Sequence, residues 1–367
     1  MRVLLAEHHR YRSAVRVGSH QIGRVLLESG HEVVWLSHPR SWLHRLRGPL
    51  PPRELQHPDG VREVILRAPL PYVRWPGLDS LSWGRWWLRA TPAARRRLRS
   101  LVREGCDLWW VSDFTALGLL DEVRCGAVAF RFFDRLDQFS WMPRSIYALA
   151  RRYRGRADTI VASSRAVQRH LAGEGLDADY LPNGAHIRPG SRALAARSDR
   201  ENLVVYVGAV EEWFDLPAVE HWARALPTTE FVIAGPVSAR LSPTAPNVRF
   251  AGPIPYEDVP DLLARARAGV IPFRRNELTD GIHPLKLYEY LAAGCPVVSV
   301  DLPEVREVPG AVWKYRTPAE GLAQLRRCLA YSPDRLQLHA LAAESSWSRR
   351  LAPLLARLER KAAARRW

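Results

Sequence analysis

The segment "NELTDGIHPLKLYEYLAAGCPVV", residues 276–298, gathers groups able to hold an anion. Lys286 is one of only three lysines among 54 basic residues. It falls at the start of a helix predicted over residues 283–293, with Pro284 suited to the first helical position, where its missing N–H is not needed. First-turn N–H groups carry partial positive charge and favour phosphate. A cation in that turn opposes the helix dipole, and a bound anion would reverse the sign of that effect. Glu289 lies three residues on, at same-face spacing. The pattern predicts Lys286, Glu289 and Tyr290 on one face, with Leu285, Tyr288, Leu291 and Ala292 on the apolar one. Gly294 ends the helix and Pro296 opens a buried strand. The same spacing also describes an ordinary surface ion pair, and spacing alone leaves both readings open.

The flanking elements must place this helix start. "RVLLAE" reads as a buried strand, "GSHQIGRVLLESG" as a helix with Ser19 as N-cap and Gly30 as its stop, and "HEVVWLS" as the next strand. That is a βαβ unit, which implies parallel strands and a right-handed crossover. Strands follow at "REVILRAP", "CDLWWVSD", "GAVAFRFFD" and "TIVASS", with helices at 145–154 and 165–173. The turn-rich "YLPNGAHIRPGS" ends the first domain, and residues 192–202 read as a linker. A second alternating series runs from "NLVVYVGAV" through "TEFVIAGP", "NVRFAGPI", "AGVIPF" and "CPVVSVD", and a basic helix closes the chain. The expected architecture is α/β. It has two Rossmann-like domains, 1–190 and 200–345, with parallel sheets facing a central cleft, and a C-terminal helix over 346–367 packing back on the first domain. Ligands of open α/β sheets bind beyond the carboxyl ends of the strands.

Composition sets limits. At 367 residues with net charge +16, the chain is long enough for two cores. Its field attracts anions: phosphorylated small molecules, an anionic membrane surface or nucleic acid. No stretch approaches the ~20 apolar residues of a membrane helix. The N-terminal residues read as a strand rather than a signal peptide, so a cytoplasmic protein is expected. Cys106, Cys125, Cys295 and Cys328 are widely spaced, with no paired motif, so neither a disulfide framework nor a zinc site is expected. Fourteen tryptophans include a Trp/Arg-rich run over residues 73–100, suited to a membrane interface, a sugar cleft or a core edge beside a basic helix. No nucleic-acid-binding motif is evident, and "RVLLAEHHRYRSAVRVG" lacks the GxGxxG turn of a dehydrogenase.

"HPLKLYEYLAAGCPVVSVD" resembles the donor-binding motif of GT-B glycosyltransferases of the family 4, or group 1, type. "YVGAVEEWFD", "FVIAGP" and "VRFAGPIPYEDVPDLLARARAGVIPF" resemble members of the teichuronic-acid-biosynthesis-like subgroup, and "YLPNGA" resembles the interdomain PNG motif. The first domain matches in layout, through "GSHQIGRVLLESGHEVVWLS" and "FFDRLDQF". The resemblance implies a nucleotide-sugar donor, UDP-sugar first and GDP or dTDP as alternatives, with no further cofactor or metal. The acceptor would be a glycan, a lipid-linked glycan or a small molecule. Glu289 would meet the ribose, whose vicinal hydroxyls suit a carboxylate, and Lys286 the diphosphate. Asp280, Gly281, His283 and Leu287 complete the donor loop and helix, and Gly208 the glycine turn that lets phosphates approach closely. Two departures stand out. The position eight residues before Glu289, where the family often carries a second glutamate, holds Gly281 with Asp280 beside it. The segment after the glycine turn, "GAVEEWFD", is acidic rather than basic, leaving Lys286 with Arg274 or Arg275 for the phosphates.

An inverting transfer needs a base with its pKa near working pH. Asp134 and His20 are the leading candidates, with His8, His9, Gly18, Ser19, Asp113 and Asp137 on the acceptor side. A retaining transfer would rely on electrostatics at the diphosphate. Two alternatives remain: a nucleotide-sugar epimerase of the same architecture, and a basic nucleic-acid-binding protein.

Overall fold

The computed structural model describes residues 1–13, 15–68, 92–122, 124–139, 142, 145–237, 241–306, 308, 312–331 and 334–365. The Trp/Arg-rich run falls outside the described residues between 73 and 91. Its end, from Pro92, is a helix, Pro92–Arg103, that buries Ala94, Leu98 and Leu101.

The chain divides into two compact units. One comprises Met1–Ser13, Gly18–Pro182 and Leu351–Trp367, the other Ala14–Val17 and Asn183–Arg350. The first contains β1 (Arg2–Glu7), β2 (Glu32–Ser41), β3 (Glu54–Gln56), β4 (Arg62–Ala68), β5 (Leu108–Val111), β6 (Ala127–Phe132), β7 (Thr159–Ala162) and β8 (Asp179–Tyr180). They form one sheet in the order β3-β4-β2-β1-β5-β6-β7-β8, parallel except for the β3–β4 pair. The second contains β9 (Leu203–Val207), β10 (Glu230–Ala234), β11 (Val248–Gly252), β12 (Ala268–Ile271), β13 (Val297–Val300) and β14 (Val312–Tyr315). Their order is β11-β10-β9-β12-β13-β14, all parallel. Such strands are covered on both faces, which is why they read as near-continuous apolar runs. Each unit has its own core. Trp35, Trp109, Trp110, Trp222 and Trp347 are fully buried, and each contributes roughly 5 kcal/mol of apolar burial before entropy is subtracted.

The units part after Pro182, earlier than the expected boundary at 190, because the PNG turn is held by groups of the second unit. Asn183 Nδ2 donates to the His283 carbonyl at 2.6 Å, and Ala185 N to the Ser345 carbonyl at 3.0 Å. A Cβ at Gly184 would lie 2.5 Å from the Ser345 carbonyl, so only glycine permits that approach. The stretch read as a linker is packed. It contains the helix Ser191–Ala195 with Ala195 fully buried, and Arg200, whose guanidinium donates to the carbonyls of Ala195, Leu263, Ala266, Ala293 and Gly294.

The closing helix runs Trp347–Ala364, and its residues from Leu351 group with the first unit. Arg357 donates to Thr159 and Asp179, while Lys361 and Arg365 pair with Asp158. At Gly126 a Cβ would stand 3.0 Å from the Ala362 Cα, so the helix lies against bare backbone.

The expectation of no disulfide is overturned: Cys106 and Cys125 are bonded, with Cα atoms 4.9 Å apart. The reason is tertiary. Each cysteine stands two residues before a strand, β5 or β6, and those strands pair with Leu108 opposite Ala127, so residues separated by 19 positions become neighbours. Cys295 and Cys328 are free and buried. Thiol titration of the denatured, non-reduced protein should count two thiols of the four. A count of four would contradict this pairing.

Candidate functional site

In the second unit the site is built at the carboxyl end of β9. Gly208 follows that strand with φ 145°, and Gly235 follows β10 with φ 151°. A Cβ at Gly235 would sit 2.0 Å from the Gly208 carbonyl oxygen, and a Cβ at Gly208 would lie 3.2 Å from Lys286 Nζ. Two bare backbone turns therefore stack, and the lysine hangs over the upper one. The helix carrying Lys286 is Leu285–Ala292, preceded by Pro284 at φ −72°, ψ 109°. Pro284 is thus the cap rather than the first helical residue. Lys286 Nζ stands 4.8 Å from the Tyr206 ring centre and 4.5 Å from that of Phe273, and 3.5 Å from the Tyr206 hydroxyl. Two ring faces hold the ammonium in place by their negative quadrupoles. Burial pushes the Tyr206 phenol well above its ordinary range, so this hydroxyl stays neutral beside the cation.

Glu289, one turn on, is half-buried and accepts from the Tyr256 hydroxyl at 2.8 Å. The Tyr256 ring is in turn faced by the Arg188 guanidinium at 4.7 Å. Tyr290 is not on this face, contrary to the expectation from spacing. It is fully buried, accepts from Val207 N at 2.8 Å, and packs on Gly269, where a Cβ would lie 2.3 Å from its ring. The missing side chain at Gly269 draws the tyrosine inward. Leu287 is also wholly in the core, leaving only its backbone for a ligand.

Asp280 closes the short helix Glu277–Asp280 and forms a two-pronged pair with Arg275, at 3.0 and 2.8 Å. This links the acid that replaces the displaced glutamate to one of the arginines expected to meet phosphate. Gly281 caps that helix at φ −85°, a conformation open to any residue. His283 is buried, stacks parallel on Tyr288 at 5.3 Å, and lies 4.0 Å from Glu304. Arg350 donates to both the Asn183 carbonyl and the Tyr288 hydroxyl. The structure therefore brings Gly208, Lys286 and Glu289 to one face of one helix start, with His283 beneath it.

In the first unit the acceptor-side candidates fall in three places. His20 lies in the helix Gly18–Glu28, packs on Trp35 at 4.7 Å, and its Nε2 meets the Arg10 carbonyl at 3.1 Å. Gly18 and Ser19 open the same helix, and Ser19 Oγ donates to Ser112 Oγ at 3.0 Å. Asp137 is forked by Arg135 and receives Tyr147 Oη at 3.0 Å. Burial raises its pKa, but these donors with Gln138 outweigh it and hold the carboxyl well below its ordinary value. Asp134, half-buried, follows β6 in the field of buried Arg131. Burial lowers the Arg131 pKa to about 10 against the raising effect of Glu7 and Asp134.

The third place joins His8, Asp113 and a residue the sequence reading missed, His38, whose Nδ1 is 2.8 Å from Asp113 Oδ2. Burial, and next the charge of His38, bring the His8 pKa down to about 3, so its imidazole is neutral near pH 7. Burial pushes Asp113 up, but His38, His8 and Thr115 more than offset this and keep it ionised. His9 lies near by, its N–H directed at Glu7 Oε1 at 3.4 Å.

Tyr206, Phe273, Tyr256 and Gly235 were also missed. Tyr206 and Phe273 lie within runs read as strands, "NLVVYVGAV" and "AGVIPF". Only Gly235, which follows an apolar run much as Gly208 does, left a usable signal.

Two parallel α/β sheets, with a lysine and a helix start over a bare glycine turn, define a Rossmann-like class of protein equipped to hold an anionic ligand. Residues 201–330 match the family described as Glycosyl transferases group 1, and residues 4–108 the family described as Glucuronosyltransferase GumK, N-terminal domain. Residues 201–330 thus match the group 1 glycosyltransferases, and the two parallel α/β sheets are those of a GT-B fold. It is 30% identical over 116 residues to TuaH of Bacillus subtilis (strain 168), named as a glycosyltransferase of teichuronic acid biosynthesis; the match spans 30% of this chain and 29% of that relative. The fold is similar to that of sucrose-phosphate synthase from Thermosynechococcus elongatus, at TM-score 0.70 and 16% identity over 99% of both chains. It is also similar to that of Anabaena HepE in complex with UDP and glucose, at TM-score 0.63 and 14% identity over 97% of this chain and 98% of that one.

The stacking of the two glycine turns is testable. Gly235→Ala would place a Cβ against backbone at positive φ, about 2 kcal/mol of strain or more. The melting transition of the second unit should fall by roughly 4–8 °C. An unchanged transition would mean the turns do not meet as described.

Proposed function

We propose that the protein transfers a hexosyl group from a nucleotide-diphosphate sugar to a hydroxyl of a glycan, lipid-linked glycan or small-molecule acceptor. The observation that carries this reading is Lys286: its ammonium lies over the bare Gly208 turn, beside the N-terminus of its own helix. Three sources of positive potential converge there, the ammonium, the helix N–H groups and the backbone of the turn. A diphosphate leaving group gains charge as the glycosidic bond breaks, and fixed positive groups stabilise that charge most where water is excluded. The donor side then needs no metal, because Lys286 supplies the charge a cation would. Glu289 takes the ribose hydroxyls, exchanging its bond from Tyr256 for bonds from the nucleotide. Arg275 reaches phosphate only by leaving Asp280. UDP is the first nucleotide to expect, with GDP and dTDP as alternatives; proteins of similar fold are known in complex with UDP and glucose and with UDP-2-fluoro glucose.

On the acceptor side, Asp134 is the group best suited to act as base in an inverting transfer, since it follows a strand end and is only half-buried. His20, bonded to a carbonyl and stacked on Trp35, suits a positioning role.

Calorimetry with UDP, GDP and dTDP tests the donor reading. Removing one charged partner of a bound ligand typically forfeits about 1.5–3 kcal/mol. Lys286→Ala and Glu289→Ala should therefore each weaken the preferred nucleotide by roughly 10- to 150-fold. Unchanged affinity in both variants would overturn the assignment.

The chain's location follows from the same reading, as a cytoplasmic protein that meets a lipid-linked acceptor at an anionic membrane surface. No helix among the described residues is long and apolar enough to cross a membrane, so contact would be peripheral and driven by the charge of +16. Sedimentation with anionic vesicles should carry the protein down at low salt and release it at high salt. Absence from the pellet at low salt would dismiss membrane contact.

A further inference from the structure

The sheet order of the first unit places β2, β1 and β5 side by side. Glu7 at the end of β1 is level with Ser37 of β2, and Ala6 with Val111 at the end of β5. One step further along each strand direction come His8, His38 and, after Ser112, Asp113. Three ligand-bearing side chains thus meet toward the carboxyl ends of three central strands. Their ligand atoms all lie within 4.8 Å of one another. The His8 and His38 rings are 4.4 Å apart, centre to centre, at 49°, and His38 Nδ1 is 2.8 Å from Asp113 Oδ2.

The carboxylate is held firmly. Asp113 Oδ1 accepts from Thr115 N at 3.0 Å and from Thr115 Oγ1 at 2.7 Å, while the backbone N–H groups of Ser112 and Asp113 both donate to the Ala6 carbonyl. The second oxygen, Oδ2, is thereby directed at the histidines. Outer hydrogen bonds that fix a carboxylate in this way are a regular companion of metal ligation.

We propose that His8, His38 and Asp113 form a binding site for one divalent transition-metal ion of the zinc class. Two imidazoles and one carboxylate suit Zn²⁺, Co²⁺ or Ni²⁺ and disfavour Mg²⁺ and Ca²⁺, which take oxygen ligands. Binding replaces the direct His38–Asp113 hydrogen bond, the single proton of the neutral His38 ring moving to its other nitrogen, with both groups turned onto the ion. Three protein ligands leave at least one coordination position for water or for an oxygen of a bound hydroxyl compound, the pattern of an open rather than a closed site. The site lies in the first unit and shares no residue with the donor site around Lys286 and Glu289.

The test uses the full chain, stripped with EDTA and then titrated with Co²⁺ and followed by its visible d–d absorption. One equivalent should bind with a band from a low-symmetry, partly imidazole-ligated ion, and one equivalent of Zn²⁺ should abolish the band. His38→Ala and, separately, Asp113→Asn should weaken binding by about 10- to 100-fold or more. His38→Gln serves as a second variant should the alanine change impair folding, checked by circular dichroism. His221→Ala, an exposed histidine elsewhere, should bind as the parent does. Absence of a stoichiometric Co²⁺ band, or a band that persists in folded His38 and Asp113 variants, would overturn the proposal. Nucleotide calorimetry on the EDTA-treated chain separates the two assignments: UDP affinity should survive metal removal, and failure to bind UDP would leave the cobalt result standing.

Discussion

The ammonium of Lys286 above Gly208 is possible only because several requirements are met together. The backbone after β9 must turn at φ 145°, the turn after β10 must fit beneath it at φ 151°, and both need glycine. Tyr206 and Phe273 must present ring faces, so that a charge in a half-buried place is compensated before any ligand arrives. Tyr290 must fold inward onto Gly269 and cap the Val207 N–H, which fixes the rotation of the helix and thereby aims Lys286 and Glu289.

The arginine excess has a related explanation. A net charge of +16 invites the idea of a large anionic partner, yet many of the described arginines are spent on structure. Arg200 collects five carbonyls, Arg350 ties the PNG turn to Tyr288, and Arg335 donates to the Arg197 carbonyl. A planar guanidinium with five donors satisfies several helix-end carbonyls at once, which an ammonium does less well. Lysine at 286 does what arginine does poorly: it offers a compact charge in a narrow space between two rings.

Both units show what a parallel sheet does to sequence distance. Paired strands bring their ends to one level, so cysteines ahead of β5 and β6 become bonded neighbours at the amino ends of the strands, and His8, His38 and Asp113 converge toward the carboxyl ends. Neither grouping has a local motif. A scan for paired cysteines or closely spaced histidines passes over both, because the spacing that matters is set by strand register.

The sequence by itself determined the alternating α/β plan, β1 and the helix Arg165–Gly173 to the residue, and the helix that carries Lys286 and Glu289. These depend on hydrophobic period, capping and turn chemistry, which act over a few residues. It missed β3, β8 and β14, which are short and take their support from neighbouring strands. Tertiary structure alone decided that Tyr290 and Leu287 face the core, that Asp280 is held by Arg275, and that Tyr256 reaches Glu289. It also assigned the PNG turn to the second unit and joined Cys106 to Cys125. Each of these turns on a vacancy, a register or a partner supplied from elsewhere in the chain, and helical or strand period carries no information about that.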